Sequence, residues 1–255
     1  MAPIFTKDSP ILPPAAFFFM GDIEIFLFLG GKIKLSGYSG FMYWSKSTSG
    51  RARLWQALAG QQPAEVCRRC LAAAEPGGYS LGFLDRSYRV EPEAGRIGGP
   101  QEDPLLADAE FELLLLTYLT QAADTPAEGT WISEKDLPGG SLFFRGPHAL
   151  PLGPLLARFG DDLPGFRRAA EALGGSGLPY GDAAYGFTAL PRVPAGCVLW
   201  TRDEEFPARA NLLFDRTLGR HLPLDVVLAL AHCLVLRLLE TAGPAPGGPA
   251  GRLTR

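Results

Sequence analysis

The sequence predicts an α+β fold, a single compact domain in which a mostly antiparallel sheet is packed by two main apolar helices. Two long segments, 105–121 and 223–241, have the length and the apolar spacing of core helices. Short apolar segments bounded by Gly, Pro and Asp recur between them, which is typical of strands. The chain has 255 residues, of which 47% are hydrophobic, enough to bury one substantial core.

The front half of the predicted domain consists of short elements before one long helix. Two helices and three small strands are predicted at 51–59, 63–74, 79–84, 87–91 and 96–97. Pro63 stands in the first turn of the second helix, where a missing N–H is tolerated. The helix at 105–121 carries apolar residues on more than one face, so we expect it at the centre of the core.

The back half alternates turns, helices and strands before the last helix. Its elements are predicted as a strand at 130–133, a turn at 137–140, helices at 152–159 and 163–173, and strands at 184–189, 197–201 and 210–214. The final helix, 223–241, is very apolar, but only eleven residues separate Asp225 from Arg237. That spacing is too short for a membrane span, so we expect a buried core helix.

Residues 1–48 differ in composition from the rest of the chain. They hold four of the five lysines and seven of the 16 phenylalanines but no arginine. Prolines and acidic residues interrupt their apolar stretches, which argues against a signal peptide or a spanning helix. We expect a poorly ordered extension upstream of a true start at Met42 or near Ser49. The alternative is a genuine extension with a hairpin at 23–29 and 32–35 that turns at 30–31.

The predicted boundaries are therefore an N-terminal extension at 1–48, an α+β domain at 49–242 and a tail at 243–255. The tail is rich in Pro and Gly, which predicts disorder. A formal net charge of −3 and a pI of about 5.7 give no overall attraction to phosphate backbones or anionic lipids. We therefore expect neither nucleic acid nor a membrane as a partner.

The four cysteines allow two interpretations. Cys67 and Cys70 form a CxxC pair, and Cys197 and Cys233 are far from them in sequence. Four thiolates could bind zinc or an iron–sulfur cluster. However, a single CxxC with two separate cysteines is a weak metal signal, and all four lie among apolar residues. Buried free thiols are the preferred interpretation, and they indicate a reducing compartment such as the cytoplasm.

Nine short blocks of the back half follow one another in a recognisable order. They are GTWIS (129–133), LPGG (137–140), LGG (173–175), YGDA (180–183), LPRVP (190–194), VLW (198–200), DEEFP (203–207), NLLFD (211–215) and LP (222–223). In this order they resemble the family of the domain of unknown function 3786, over about residues 52–241. The resemblance implies an origin in mostly anaerobic bacteria and archaea, but it implies no activity, cofactor or site residue. The first 48 residues have no counterpart in it.

Carboxylates and aromatic residues supply the candidate site. An acidic run follows the strand that ends at Trp200, and two more aspartates stand at predicted strand edges. Carboxylates that meet in this way can bind a cation or act as acid and base, whereas the alternative is a solvated polar turn. Interleaved aromatic side chains are typical of ligand pockets as well as of cores. The candidate ligand-binding residues are Trp131, Tyr180, Asp182, Trp200, Asp203, Glu204, Glu205 and Asp215. The further aromatic candidates are Phe143, Phe144 and Phe206.

Several catalytic and cofactor motifs are missing from the sequence. The three histidines lack metal-ligand spacing, and no phosphate loop, dinucleotide fingerprint or Gly-x-Ser-x-Gly elbow occurs. The preferred hypothesis is a cytoplasmic accessory protein of anaerobic metabolism that binds a small ligand or a partner. The alternative is a carboxylate-centred hydrolase or lyase, with or without a divalent metal. Redox or tetrapyrrole binding is a third hypothesis, and it rests on the family's anaerobic setting alone.

Overall fold

The computed structural model describes residues 22–26, 32–36 and 48–243. The chain forms two units, residues 1–43 and residues 44–255. In the first unit, β1 (Asp22–Phe26) and β2 (Lys32–Ser36) pair antiparallel, with Asp22 opposite Ser36. The strands of the predicted hairpin are therefore confirmed. The expected glycine turn and start site, the expectation of poor order in the extension, and the tail after residue 243 lie outside the described residues.

Runs of helices and runs of strands follow one another through residues 48–243. The helices of this part are α1 (Thr48–Ala59), α2 (Pro63–Cys70), α3 (Ala109–Gln121), α4 (Gly140–Phe143), α5 (Leu152–Phe159), α6 (Leu163–Ala172) and α7 (Leu224–Ala242). The strands of the same part are β3 (Ala73–Glu75), β4 (Gly78–Phe83), β5 (Arg86–Glu91), β6 (Arg96–Gly98), β7 (Trp131–Ile132), β8 (Ser176–Gly177), β9 (Ala183–Leu190), β10 (Val193–Trp200) and β11 (Arg209–Asp215).

A four-stranded antiparallel sheet has the order β3-β4-β5-β6. Alternate residues of β4 are buried, as expected for a strand with one face on the core. The predicted helix at 63–74 is too long, because the helix ends at Cys70 and Leu71 adopts a left-handed backbone with φ of 53°. Ala73 instead pairs with Ser80 in β3. Sheet pairing outweighs the helix propensity of the alanines at this point.

The second sheet has five antiparallel strands in the order β7-β11-β10-β9-β8. The two sheets are linked where the Leu84 N–H donates to the Ala189 carbonyl at 3.1 Å. One face of the five-stranded sheet lies on the core through residues such as Cys197 and Phe214. The other face is only partly covered.

β10 begins four residues earlier than the sequence predicts, and the register shifts between Val193 and Pro194, which accommodates the proline in the sheet.

Helix α7 is the centre of the helical layer, where it contacts α3, α5 and α6. Helices α5 and α6 in turn contact β11 and β9. The predicted helix at 105–121 is divided, because Asp108 accepts a hydrogen bond from the Glu110 N–H at 2.7 Å and caps α3. No helix within residues 48–243 combines the length and the hydropathy needed to cross a bilayer. The α+β prediction is confirmed, with two antiparallel sheets in place of one.

Candidate functional site

The partly covered face of the five-stranded sheet carries a groove of about 720 Å³. Its floor consists of Val198, Asn211 and Leu213, which belong to the adjacent strands β10 and β11. These residues share one face because side chains alternate along a strand, so Leu212 and Phe214 point to the core instead. The groove thus lies on the side of the sheet opposite the helical layer.

The indole of Trp131 lies at one end of the groove, above Gly186. Gly186 and Gly196 are opposite each other on β9 and β10. A Cβ atom on Gly186 would lie 3.0 Å from Cζ2 of Trp131, which is closer than side chains normally approach. Glycine at this position therefore leaves room for the ring to lie across the sheet. The half-buried indole keeps part of its surface toward the groove.

Tyr180 and Trp200 line the other end. Gly181 has a φ of +55°, and a Cβ atom there would lie 2.7 Å from the Leu199 carbonyl, so the turn after Tyr180 requires glycine. Tyr180 remains 43% exposed and Trp200 is half-buried. The guanidinium of Arg209 lies 5.7 Å from the ring centre of Trp200, within reach of a cation–π interaction. Aromatic faces at this end are therefore accessible to a bound molecule.

Four polar side chains complete the lining: those of Ser133, Asp136, Asn211 and Arg216. The Ser133 N–H and hydroxyl both donate to Oδ2 of Asp136, at 3.1 and 2.7 Å, and these bonds lower the pKa of that carboxyl. They form a capping box that holds the turn after β7. Asn211 and Arg216 have no side-chain hydrogen bond to any residue that the structure describes.

Asp215, a predicted site residue, holds a loop beside the groove. Its side chain is 2% exposed and accepts hydrogen bonds from the N–H groups of Glu128, Gly129 and Thr217, at 3.1, 2.7 and 3.0 Å. The Thr217 hydroxyl donates a fourth at 2.6 Å. Burial raises the pKa of Asp215, but these donors outweigh that effect and the pKa is lowered. The ionised carboxylate therefore ties the segment before Trp131 to the end of β11.

The other predicted carboxylates lie on the exposed loops at the opposite end. Asp182 accepts from the N–H and the hydroxyl of Thr201, both at 2.8 Å, and these bonds lower its pKa. Asp203 accepts from the N–H groups of Glu205 and Phe206 and thereby closes its own turn. Glu204 and Glu205 are exposed.

The convergence of these carboxylates on a cation, which the alternative hypothesis of a carboxylate-centred enzyme requires, is not found among the described residues. Among the residues that the structure describes, no group of three or more His, Cys, Asp or Glu side chains could hold a metal ion. The physical reason is that the three aspartates are each committed to a separate loop. Whether any of the predicted residues contacts a ligand stays a prediction, but three of them, Trp131, Tyr180 and Trp200, do line one groove.

The other predicted aromatic residues lie apart from this groove. Phe143 and Phe144 pack against each other at 5.0 Å, and His148 stacks on Phe143 at 4.7 Å. Phe206 is 54% exposed, with the Arg209 guanidinium 5.9 Å from its ring centre. These side chains are therefore not part of the lining.

Three of the four cysteines are buried, as predicted, and Cys67 is half-buried. Burial raises the pKa of Cys70 to about 11 and that of Cys197 to about 12, and it also raises the pKa of Cys233. All four thiols are free. The interpretation of these cysteines as buried thiols is confirmed at three of the four positions.

Sequence reasoning missed the polar part of the lining. Asn211 is the first residue of the NLLFD block, and Arg216 follows its last residue. No spacing in the sequence distinguishes these two from ordinary strand and turn residues. It also missed His221, which is buried without a partner for either ring nitrogen among the described residues. Burial lowers the pKa of this imidazole.

The family described as Domain of unknown function (DUF3786) has a model that matches residues 62–237. The chain belongs to this family. All residues that line the groove fall inside the DUF3786 match. Neither the curated proteins nor the solved structures gave a match. The family description names no activity.

Proposed function

We propose that the protein binds a small molecule with a flat ring in the groove on the five-stranded sheet. The observation that carries this proposal is the pair of partly exposed indoles, Trp131 and Trp200, which line the same groove together with Tyr180. A volume of about 720 Å³ lies within the usual range of small-molecule sites. Aromatic walls with a few polar groups are the typical lining of such sites.

The register of the sheet indicates where the ring would lie. Trp131 is paired with Asp215, and Trp200 is paired with Arg209. These two partners stand six positions apart on β11. Six residues correspond to about 20 Å. The Trp131 indole reaches inward to Gly186, and we place the ring in a slot between the two indoles, over the floor of the groove. A flat ring in this slot would gain offset or edge contacts with the indoles, and each such contact is worth about 1 kcal/mol beyond burial.

Native mass spectrometry of protein isolated without oxygen tests the proposal. We expect a bound small molecule in the wild-type protein and its loss in Trp200→Leu and Tyr180→Ala, because both substitutions remove aromatic lining. Trp55→Phe is the matched control, since Trp55 lies on α1 and donates to Glu112 away from the groove. Equal occupancy in the two groove variants and the control would contradict the proposal.

We also propose a cellular location and a metabolic role for the protein. Buried, unpaired thiols favour a reducing compartment, so we place the protein in the cytoplasm. The family resemblance favours a role as an accessory protein in anaerobic metabolism, and the boundaries 49–242 for the functional domain. Fractionation of the native cells followed by immunodetection tests the location. No observation favours the carboxylate-centred hydrolase, because its carboxylates serve the loops that carry them.

A further inference from the structure

Arg216 brings an exposed positive charge to the groove. It lines the groove at the end nearest Trp131. Its guanidinium forms neither a hydrogen bond nor an ion pair with any residue that the structure describes. By contrast, Arg86 and Arg237, which lie elsewhere in the domain, each contact two carboxylates. A guanidinium that faces a cavity without a partner is well suited to bind an oxyanion through two parallel hydrogen bonds.

The backbone fixes Arg216 in this position. Its N–H donates to the Thr130 carbonyl at 3.0 Å, which continues the pairing between β11 and β7 by one residue. The neighbouring Asp215 anchors the same corner through its four accepted hydrogen bonds. The backbone of Arg216 is therefore held against Thr130 at the end of the sheet, while its guanidinium has no partner among the described residues and remains free to meet a ligand.

The acidic group nearest to Arg216 in the lining is already engaged. Asp136 accepts both bonds from Ser133 through Oδ2 and forms no ion pair with Arg216 within 4.0 Å. The Arg216 charge contributes to the lowered pKa of Asp136, but the two Ser133 bonds are its main cause. The uncommitted charge in the lining is thus positive.

The distance along β11 separates this charge from the ring slot. Arg216 lies five residues beyond Asn211, which corresponds to roughly 17 Å between their backbones. The long arginine side chain spans part of that distance, since it reaches the groove lining. An anionic group bound by Arg216 would therefore sit some distance from a ring above Asn211. That separation favours a charge carried on a chain over a charge attached directly to the ring.

We propose that the ligand is a flat ring compound with an oxyanion, a carboxylate or a phosphate, on a flexible chain, and that Arg216 binds the oxyanion. This inference rests on the proposed function, because it assigns a second part of the same site. Asn211 contributes the amide at the floor beneath the ring, where it can donate to or accept from a polar ring atom. Arg216 is thereby the residue that selects charged over neutral ligands.

Two flavins that differ by one phosphate serve as the probes. Flavin mononucleotide and riboflavin share a fluorescent ring, which stacking on tryptophan quenches, and only the former carries a phosphate on its chain. In titrations of the full chain we expect flavin mononucleotide to bind at least tenfold more tightly than riboflavin. Arg216→Gln is expected to abolish this preference, because the variant lacks the charge that binds the phosphate. Arg216→Lys is expected to keep part of the preference, because the charge remains while the paired donors are lost.

Arg220→Gln is the matched control. Arg220 is exposed, as Arg216 is, but it does not line the groove, and the substitution removes the same charge. Its preference for flavin mononucleotide should equal that of the wild type. Equal binding of the two flavins, with both weakened by Trp200→Leu, would overturn the inference and leave the proposed function standing. Failure of both flavins to bind at millimolar concentration would also overturn it, while the mass-spectrometric experiment decides the proposed function separately. An unchanged preference in Arg216→Gln would exclude Arg216 as the anchor.

Discussion

Replacing Asp215 with asparagine separates a structural role from a ligand-binding role for this carboxylate. The asparagine carbonyl can take the place of Oδ1 and keep the bonds from Glu128 and Thr217. The amide NH2 then takes the place of Oδ2 and faces the Gly129 N–H, which donates to that oxygen at 2.7 Å. The asparagine NH2 and the Gly129 N–H, both donors, then face each other in a buried position. The hydrogen bonds that remain have a neutral acceptor in place of a charged one. Together these effects are expected to lower the free energy of unfolding by about 3 kcal/mol.

The pH dependence follows from the direction of the Asp215 pKa. This pKa is lowered in the folded protein, and an unfolded aspartate titrates near about 4. The ionised carboxylate therefore stabilises the fold fully above about pH 4, and this contribution disappears as the pH falls through the folded pKa. Asparagine does not titrate. The difference in stability between the wild type and Asp215→Asn should therefore narrow in acid.

Urea unfolding followed by circular dichroism at a series of pH values measures this difference. Asp182→Asn serves as the control, because Asp182 is exposed and its loss should change stability by less than about 0.5 kcal/mol. A stability loss in Asp215→Asn no larger than that of the control would refute the assignment of Asp215 as a loop anchor. The carboxylate would then again be a candidate for contact with a ligand.

Three further expectations, which four substitutions test, concern the packing and the electrostatics of the domain. Arg237 is 1% exposed and contacts Asp85 at 2.7 Å, so Asp85→Ala should cost about 2 kcal/mol by removing one partner of a buried cation. Arg237→Met should cost less in the same urea assay, because Asp85 is partly exposed and water can solvate it. Burial raises the pKa of Asp225 to about 6, so the wild type loses stability as the pH rises from about 4 through that value. Asp225→Asn should therefore be more stable than the wild type above pH 6, by up to about 3 kcal/mol. Gly186→Ala should displace the Trp131 indole, change the near-ultraviolet circular dichroism and lower stability by about 1 kcal/mol.

Each of these three expectations has its own contrary result. Equal losses in Asp85→Ala and Arg237→Met would show that the buried charge itself is not the source of the cost. A constant difference between Asp225→Asn and the wild type from pH 4 to pH 8 would contradict the raised pKa of Asp225. Gly82→Ala is the control for Gly186→Ala, because a Cβ atom at Gly82 meets nothing within 4 Å. The same spectral change in both would mean that Trp131 does not depend on Gly186.

Much of the fold could be predicted because the signals are local. The helix that became α7 is apolar over almost its whole length, and the segments that became β9, β10 and β11 are short apolar runs between turn residues. Periodicity and turn chemistry depend only on neighbouring residues, so the sequence contains them directly. The errors lie where distant partners act. Ala73 joins a strand because Ser80 is opposite it, and β10 extends through Pro194 because a register shift accommodates that residue.

The candidate site likewise has features that the sequence could predict and features that it could not. The aromatic residues Trp131 and Trp200 could be proposed from the sequence, because both stand at the ends of apolar segments. The carboxylates could be proposed as well, but their partners could not. Asp215 is bound by donors from a loop more than 80 residues away in the chain, which turns a candidate ligand into a structural anchor.

The sequence by itself determined the fold class, the burial of most cysteines and the presence of large aromatic side chains at strand ends. Only the tertiary structure decided which side chains face the same groove. That decision depends on strand order and register, since a shift of one residue would turn Asn211 and Leu213 toward the core. It also left Arg216 beside a cavity without a carboxylate to pair with. No local pattern encodes such an arrangement, because it arises from chain segments that meet only after folding.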